Sequence, residues 1–189
     1  MDLKNIIRSR ATVDGTFVRV DHFLNHTVDP VIMTAIGADI AVRTADLDYE
    51  LILTAEASGI APALATAAAT AKPMIYARKT VEKPMDDAWA RAVDSPSKGR
   101  SYLLNIKHTA LAPGTKVLIV DDFLSTGSSA IALGEMVEEA GAEVVRQVFV
   151  IEKAFNSGRE ELARRGWETD AIATVVDVVD GQIVLDESP

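Results

Sequence analysis

Short apolar runs alternate along this chain with stretches of helical pattern, and that alternation constrains the fold more than any other feature. The runs lie at Leu51–Ala55, Met74–Ala77, Val117–Val120, Val144–Ile151 and Ile172–Val179. Strand-length runs separated by helices build a mostly parallel sheet covered by helices on both faces. The helices are punctuated locally. Asp29-Pro30 pairs a capping side chain with proline at the first helical position, which predicts a helix through Ile40. An alanine-rich helix is expected over Gly59–Ala71, and another over Ser128–Ala140 that stops at Gly141. Ser157-Gly158-Arg159-Glu160 has capping-box spacing for a short helix to Arg165. Asp180-Gly181, between "ATVVDVV" and "QIVLD", is a hairpin turn signal.

Two segments fall outside the alternation. Residues 80–100, "TVEKPMDDAWARAVDSPSKGR", are polar, carry two prolines and show no period. They are expected to form a long loop, and long loops in small domains tend to be functional. "TFVRVDHFLNHTVDP" is too polar for a central strand and too apolar for a free tail.

The length of 189 residues suits one domain with a full core, so residues 1–189 are expected to fold as a unit. A net charge of −9 argues against general nucleic-acid binding, which needs Lys and Arg to neutralise phosphates. No apolar run has the length of a membrane span, and there is no secretory h-region. With no such signal, the cytoplasm is the expected location. The absence of cysteine excludes disulfides and thiol chemistry.

The most informative string is "VLIVDDFLSTGSSA", residues 117–130. A buried strand runs into two adjacent acids, Asp121 and Asp122, and then into Ser125, Thr126, Gly127, Ser128 and Ser129. The carboxyl ends of parallel strands face the crevice where α/β proteins bind ligands. Two neighbouring carboxylates placed there need hydroxyl donors or a cation. Small hydroxyl residues and glycine at a helix N-terminus form a phosphate cradle. An isolated acidic pair is an ordinary solvated strand end; the whole string asks for a ligand that is both hydroxylated and phosphorylated.

This string resembles the ribose-phosphate signature of the type I phosphoribosyltransferases, and other segments agree with it. "TAEASGIAPA" at 54–63 resembles their pyrophosphate loop, with Ala57, Ser58 and Gly59 at its turn. Arg78-Lys79, by themselves a solvated strand end, take the place of its basic rim. "FLNHTVDP", "EASGIAP" and "VIEKAF" together resemble the bacterial xanthine branch of the family, from about Val18 to the C-terminus.

The resemblance implies a three-layer core with a mostly parallel sheet. It adds a small hood from residues 1–28 and 153–189 and a lid at 80–100. It implies that Asp121 and Asp122 are the catalytic carboxylates holding the ribose of phosphoribosyl pyrophosphate, while Ser125 to Ser129 hold its 5′-phosphate. Val18, Asn25 and Lys153 would contact the purine. Asn25 is equally an Asx turn on local grounds, and Lys153 equally a side chain snorkelling from a strand end. Mg²⁺ is implied as cofactor, carried mainly by the substrate, and a homodimer as assembly. The implied reaction moves the 5-phosphoribosyl group to xanthine, giving xanthosine 5′-monophosphate and pyrophosphate.

Ser125 stands where hypoxanthine- and guanine-specific members of animals and protozoa carry a third acid, so that base is missing here. Alternatives remain: a hypoxanthine, guanine or adenine transferase, or a regulator that senses phosphoribosyl pyrophosphate without catalysis. The regulator is disfavoured by the lack of room for a DNA-binding domain and of a basic surface.

Overall fold

The computed structural model describes residues 2–14, 17–80, 83–95 and 100–187. The chain opens with α1 (Leu3–Arg10), capped by Asp2, whose carboxylate accepts the Asn5 amide at 3.0 Å. An antiparallel ribbon follows, β1 (Thr12–Asp14) with β2 (Phe17–Arg19), and then one π-helical turn at Asp21–Asn25. Next come α2 (Pro30–Arg43), β3 (Leu51–Ala55), α3 (Ile60–Thr70) and β4 (Met74–Thr80). A hairpin of β5 (Ala88–Ser95) and β6 (Arg100–Lys107) leads to β7 (Lys116–Leu124) and α4 (Ser128–Glu139). The chain finishes with β8 (Glu143–Lys153), α5 (Gly158–Ala163), β9 (Thr169–Val179) and β10 (Gln182–Leu185).

Eight strands make one sheet in the order β10-β9-β8-β7-β3-β4-β6-β5. The five from β9 to β4 are parallel neighbours, and antiparallel strands extend both ends. All five residues of β3 are buried, as a central strand covered on both faces requires. One face packs against α1, α2 and α3 through Leu3, Ile7, Ile36, Ile40 and Ala63. The other packs against α4 through Leu133, Met136 and Val137, and against α5 through Leu162. This is the three-layer α/β fold with a mostly parallel sheet. The N-terminal helix lies against β9 and β10, so the two ends of the chain pack together.

The strand and helix expectations hold at β3, β4, β7, β8, β9, α2, α3 and α4. At the hairpin turn, Asp180 and Gly181 have φ of 51° and 73°, the left-handed pair such a turn needs.

Three expectations change. Residues 80–100 are not a periodless loop: β4 continues to Thr80, and residues 88–95 pair along β6, with Val93 opposite Tyr102. β5 reads as loop because, among its residues 88–94, only Val93 is fully buried, and because Arg91 faces a helix, pairing with Glu135 and Glu139 of α4. Residues 81–82 and 96–99 of the expected lid lie outside the described residues. The capping box also fails. Ser157 sits at the N-cap of α5, but its side chain makes no capping bond, and the helix ends at Ala163 rather than Arg165. Helix α1 and the β1–β2 ribbon were not anticipated.

Helix α1 is held by Leu3 and Ile7, the latter 1% exposed. Ile7→Ala should cost about 2–5 kcal/mol of stability in urea unfolding, whereas Val42→Ala, at a side chain 78% exposed, should cost almost nothing.

Candidate active site

Strands β3 and β7 are adjacent and parallel, with Leu53 opposite Ile119, so their carboxyl ends open side by side. Asp121 and Asp122 sit at the end of β7, only 6% and 8% exposed. Thr54 of β3 donates its hydroxyl to Asp121 at 3.1 Å, and the Ser58 hydroxyl bonds to Asp122. Gly59 completes the enclosure. A Cβ there would lie 1.9 Å from Asp121 Oδ1 and 2.1 Å from Thr54 Oγ1, so any side chain would displace the acid. The turn before it contains a cis Glu56–Ala57 peptide.

Burial raises the pKa of both carboxyls, that of Asp121 well above the usual 3.8, and the charge of Asp122 pushes Asp121 up further. Hydrogen bonds and the Lys79 ammonium oppose the rise without cancelling it. Two acids are therefore held in a place that disfavours their charge, which suits a ligand bringing hydroxyl donors or a cation. Among the described residues no three His, Asp or Glu side chains converge on a metal position.

The loop beyond β7 meets the N-terminus of α4. Gly127, at φ 84°, caps that helix without a side-chain bond, leaving the first-turn amides open to an anion. Hydroxyls ring the opening: Thr126 and Ser128 are 3.0 Å apart, and Ser129 lies 2.9 Å from the Tyr102 hydroxyl. The Ser125 hydroxyl accepts a hydrogen bond from Asn156 Nδ2 at 2.8 Å.

On the β4 side, the Lys79 amide donates to Glu56 at 2.5 Å, and its ammonium lies 4.8 Å from the Tyr102 ring centre. Arg78 is largely exposed, 3.9 Å from Glu56. The sequence-predicted groups Asp121, Asp122, Ser58, Gly59 and Lys79 are thus brought together.

The expected purine contacts come from three separate elements. Lys153, half-buried at the end of β8, has its ammonium 5.4 Å from the Phe123 ring centre, and burial lowers its pKa. Val18 is buried in the core cluster against which Phe123 packs. Asn25 ends the π-helical turn, and its Oδ1 is buried with no protein partner. That orphaned acceptor favours a ligand contact over a local Asx turn.

Sequence reasoning passed over Thr54, Glu56, Tyr102, Phe123 and Asn156. Phe123 lies inside the signature string as an unremarked apolar position. No local pattern marks Tyr102, whose role depends on the pairing of β6 with β4 and β5.

The phosphoribosyl transferase domain matches residues 41–179. The chain belongs to that family. Xanthine phosphoribosyltransferase of Chloroflexus aurantiacus is 44% identical over 182 residues, covering 96% of this chain and 86% of the relative. Its namesake from Exiguobacterium sp. is 42% identical over 84% of this chain and 82% of its own. In Acinetobacter baumannii the protein of that name is 35% identical, covering 96% of both chains. Among solved structures, the Giardia lamblia adenine phosphoribosyltransferase superposes with a TM-score of 0.79 at 17% identity, over 94% of this chain and 99% of that one. The Rhodothermus marinus enzyme gives 0.75 at 21%, over 92% and 98%. These two show the phosphoribosyltransferase fold.

The strained acid pair leads to a stability prediction. A carboxyl whose folded pKa is raised binds more protons native than unfolded between 3.8 and that raised value. Stability from this pair therefore falls as pH rises through the window. Asp121→Asn removes the penalty, so the ligand-free protein's Tm should rise by about 2–4 °C at neutral pH. The gain over the parent should shrink as pH falls, read by calorimetry across a pH series.

Proposed function

We propose that this phosphoribosyltransferase transfers the 5-phosphoribosyl group of phosphoribosyl pyrophosphate to a ring nitrogen of xanthine. In the reaction the bond from ribose C1 to the pyrophosphate oxygen breaks, the bond from C1 to the purine nitrogen forms, and the ring proton leaves. The observation that carries the reading is the enclosed Asp121–Asp122 pair beside an open helix N-terminus. It suits a ligand with a diol at one position and a phosphate at the next. Relatives named xanthine phosphoribosyltransferase across nearly the whole chain support the choice of base.

In this reading Asp121 and Asp122 accept the ribose hydroxyls and favour positive charge developing at C1. Ser125 to Ser129 hold the 5′-phosphate, and Ala57, Ser58, Gly59, Arg78 and Lys79 face pyrophosphate. Mg²⁺ on the substrate's oxygens would neutralise the departing pyrophosphate, beside carboxylates whose burial leaves them short of a cation. Val18, Asn25 and Lys153 receive the base. Residues 80–100 are the candidate lid; Tyr102, on the strand that pairs with residues 88–95, reaches Ser129 and Lys79. The hood, from residues 1–28 and 153–189, is supported by the packing of α1 on β9 and β10. A cytoplasmic homodimer completes the reading.

The deciding experiment offers the purified protein phosphoribosyl pyrophosphate and Mg²⁺ with xanthine, guanine, hypoxanthine or adenine. Xanthine should give the highest kcat/KM; a clear preference for another base overturns the assignment. Lys153 should matter most for that choice. Its ammonium carries only donors, so it satisfies a purine carbonyl and opposes the amino group of adenine. Lys153→Met should lower kcat/KM on xanthine by about tenfold to a hundredfold, with phosphoribosyl pyrophosphate affinity near the parent's. Asp121→Asn, although more stable, should bind phosphoribosyl pyrophosphate about tenfold more weakly, as calorimetric titration would show.

A further inference from the structure

The chain between Lys153 and α5 grips the loop that carries Ser125. After β8 it folds back at once: the Asn156 amide bonds to the Lys153 carbonyl at 3.0 Å, and the Ala154 amide to Val175 at 2.9 Å. From this turn, Asn156 Nδ2 donates to Ser125 Oγ at 2.8 Å. The Gly158 amide donates to the Ser125 carbonyl at 3.0 Å. Ser125 is therefore held by both its side chain and its backbone. Gly158 reaches it only because it lacks a side chain, since a Cβ would stand 2.4 Å from that carbonyl and 2.8 Å from Leu124 Cδ1.

The gripping segment is itself anchored. Glu152, 2% exposed, immediately precedes Lys153 and lies opposite Leu124 on one side and Thr174 on the other. Arg159 donates through Nε to Glu152 Oε1 at 2.7 Å and through Nη2 to Oε2. Its Nη1 reaches the Thr169 carbonyl at 2.8 Å, and the Thr174 hydroxyl adds a further bond to Glu152 at 3.2 Å. A two-pronged guanidinium–carboxylate contact with one partner buried is directional and rigid. A buried carboxylate stripped of that partner is costly, so the contact stays closed. Residues 153–159 thus form a short strap tied at both ends, with Ser125 fastened to its middle.

We propose that this strap sets the position of the phosphate loop, and that Asn156 is a positioning residue for the 5′-phosphate of the substrate. The inference rests on the functional reading above. The strap starts at the side chain assigned to the base and is bonded to Ser125 in the loop assigned to the phosphate. One rigid segment therefore fixes both ends of the nucleotide that the reaction makes. Binding a phosphate to amides already aimed at it avoids the entropy of ordering them. Loosening Ser125 returns that cost to phosphate binding and leaves base capture untouched.

The test is Asn156→Ala, titrated calorimetrically with phosphoribosyl pyrophosphate and with ribose 5-phosphate in the presence of Mg²⁺, and assayed with xanthine. Both ligands should bind about three- to tenfold more weakly. The KM for phosphoribosyl pyrophosphate should rise in step, while kcat, the KM for xanthine and the Tm stay near the parent's. Unchanged affinity for both ligands in a parent-like fold would overturn the strap. So would a loss spread evenly over both substrates together with a lower Tm, because that is the mark of a general structural role. The parent titration separates the two levels: a parent that fails to bind phosphoribosyl pyrophosphate overturns the functional reading itself.

Discussion

The site is organised around two acids placed where their charge is disfavoured. Asp121 and Asp122 are almost fully enclosed, and both have raised pKa values because water has been removed from around them. Much of the neighbouring structure follows from accommodating that pair. Thr54 and Ser58 supply hydroxyl donors, Lys79 supplies positive charge, and Gly59 leaves the room the Asp121 carboxylate occupies. The arrangement is poor for the empty protein and good for a ligand that offers hydroxyls. Stability is given up at the point where binding needs a prepared environment.

The sheet makes this possible by putting strand ends in register. β3 ends at the turn that carries Ser58 and Gly59, β7 at the two acids and the 125–129 loop, and β8 at Lys153. Each strand end contributes a different chemical group to one crevice. Two devices then brace the crevice from its sides. On one flank Tyr102 joins the hairpin to Ser129 and lies under Lys79. On the other, Asn156 and Gly158 hold Ser125, and the buried Glu152 holds the segment that carries them. Ser125 is thus held through both its side chain and its backbone beside the N-terminus of α4, which is what pre-organisation requires.

What the chain alone determined is whatever lies within a few residues of its own cause. Asp29 caps α2 by bonding the amides of Val31 and Ile32, and Asp180-Gly181 turns the last hairpin. The acids and the hydroxyl cradle are legible because they are neighbours in one fourteen-residue string, 117–130. Their combination is specific enough to identify a family. Such signals act through local hydrogen bonds and backbone preference, so they survive without knowledge of the fold.

Tertiary structure decided what depends on distant partners. β5 became a strand because β6 supplies its ladder and α4 supplies acids to Arg91, although its own residues look like a loop. Ser157 has the letters of a capping box, yet its side chain makes no capping bond where the adjoining Gly158 is pressed against Ser125. Thr54 meets Asp121 across 67 positions of sequence, and Asn156 meets Ser125 across 31. No local pattern marks either pair. Strand register and the burial it creates bring them together, and these are properties of the whole sheet.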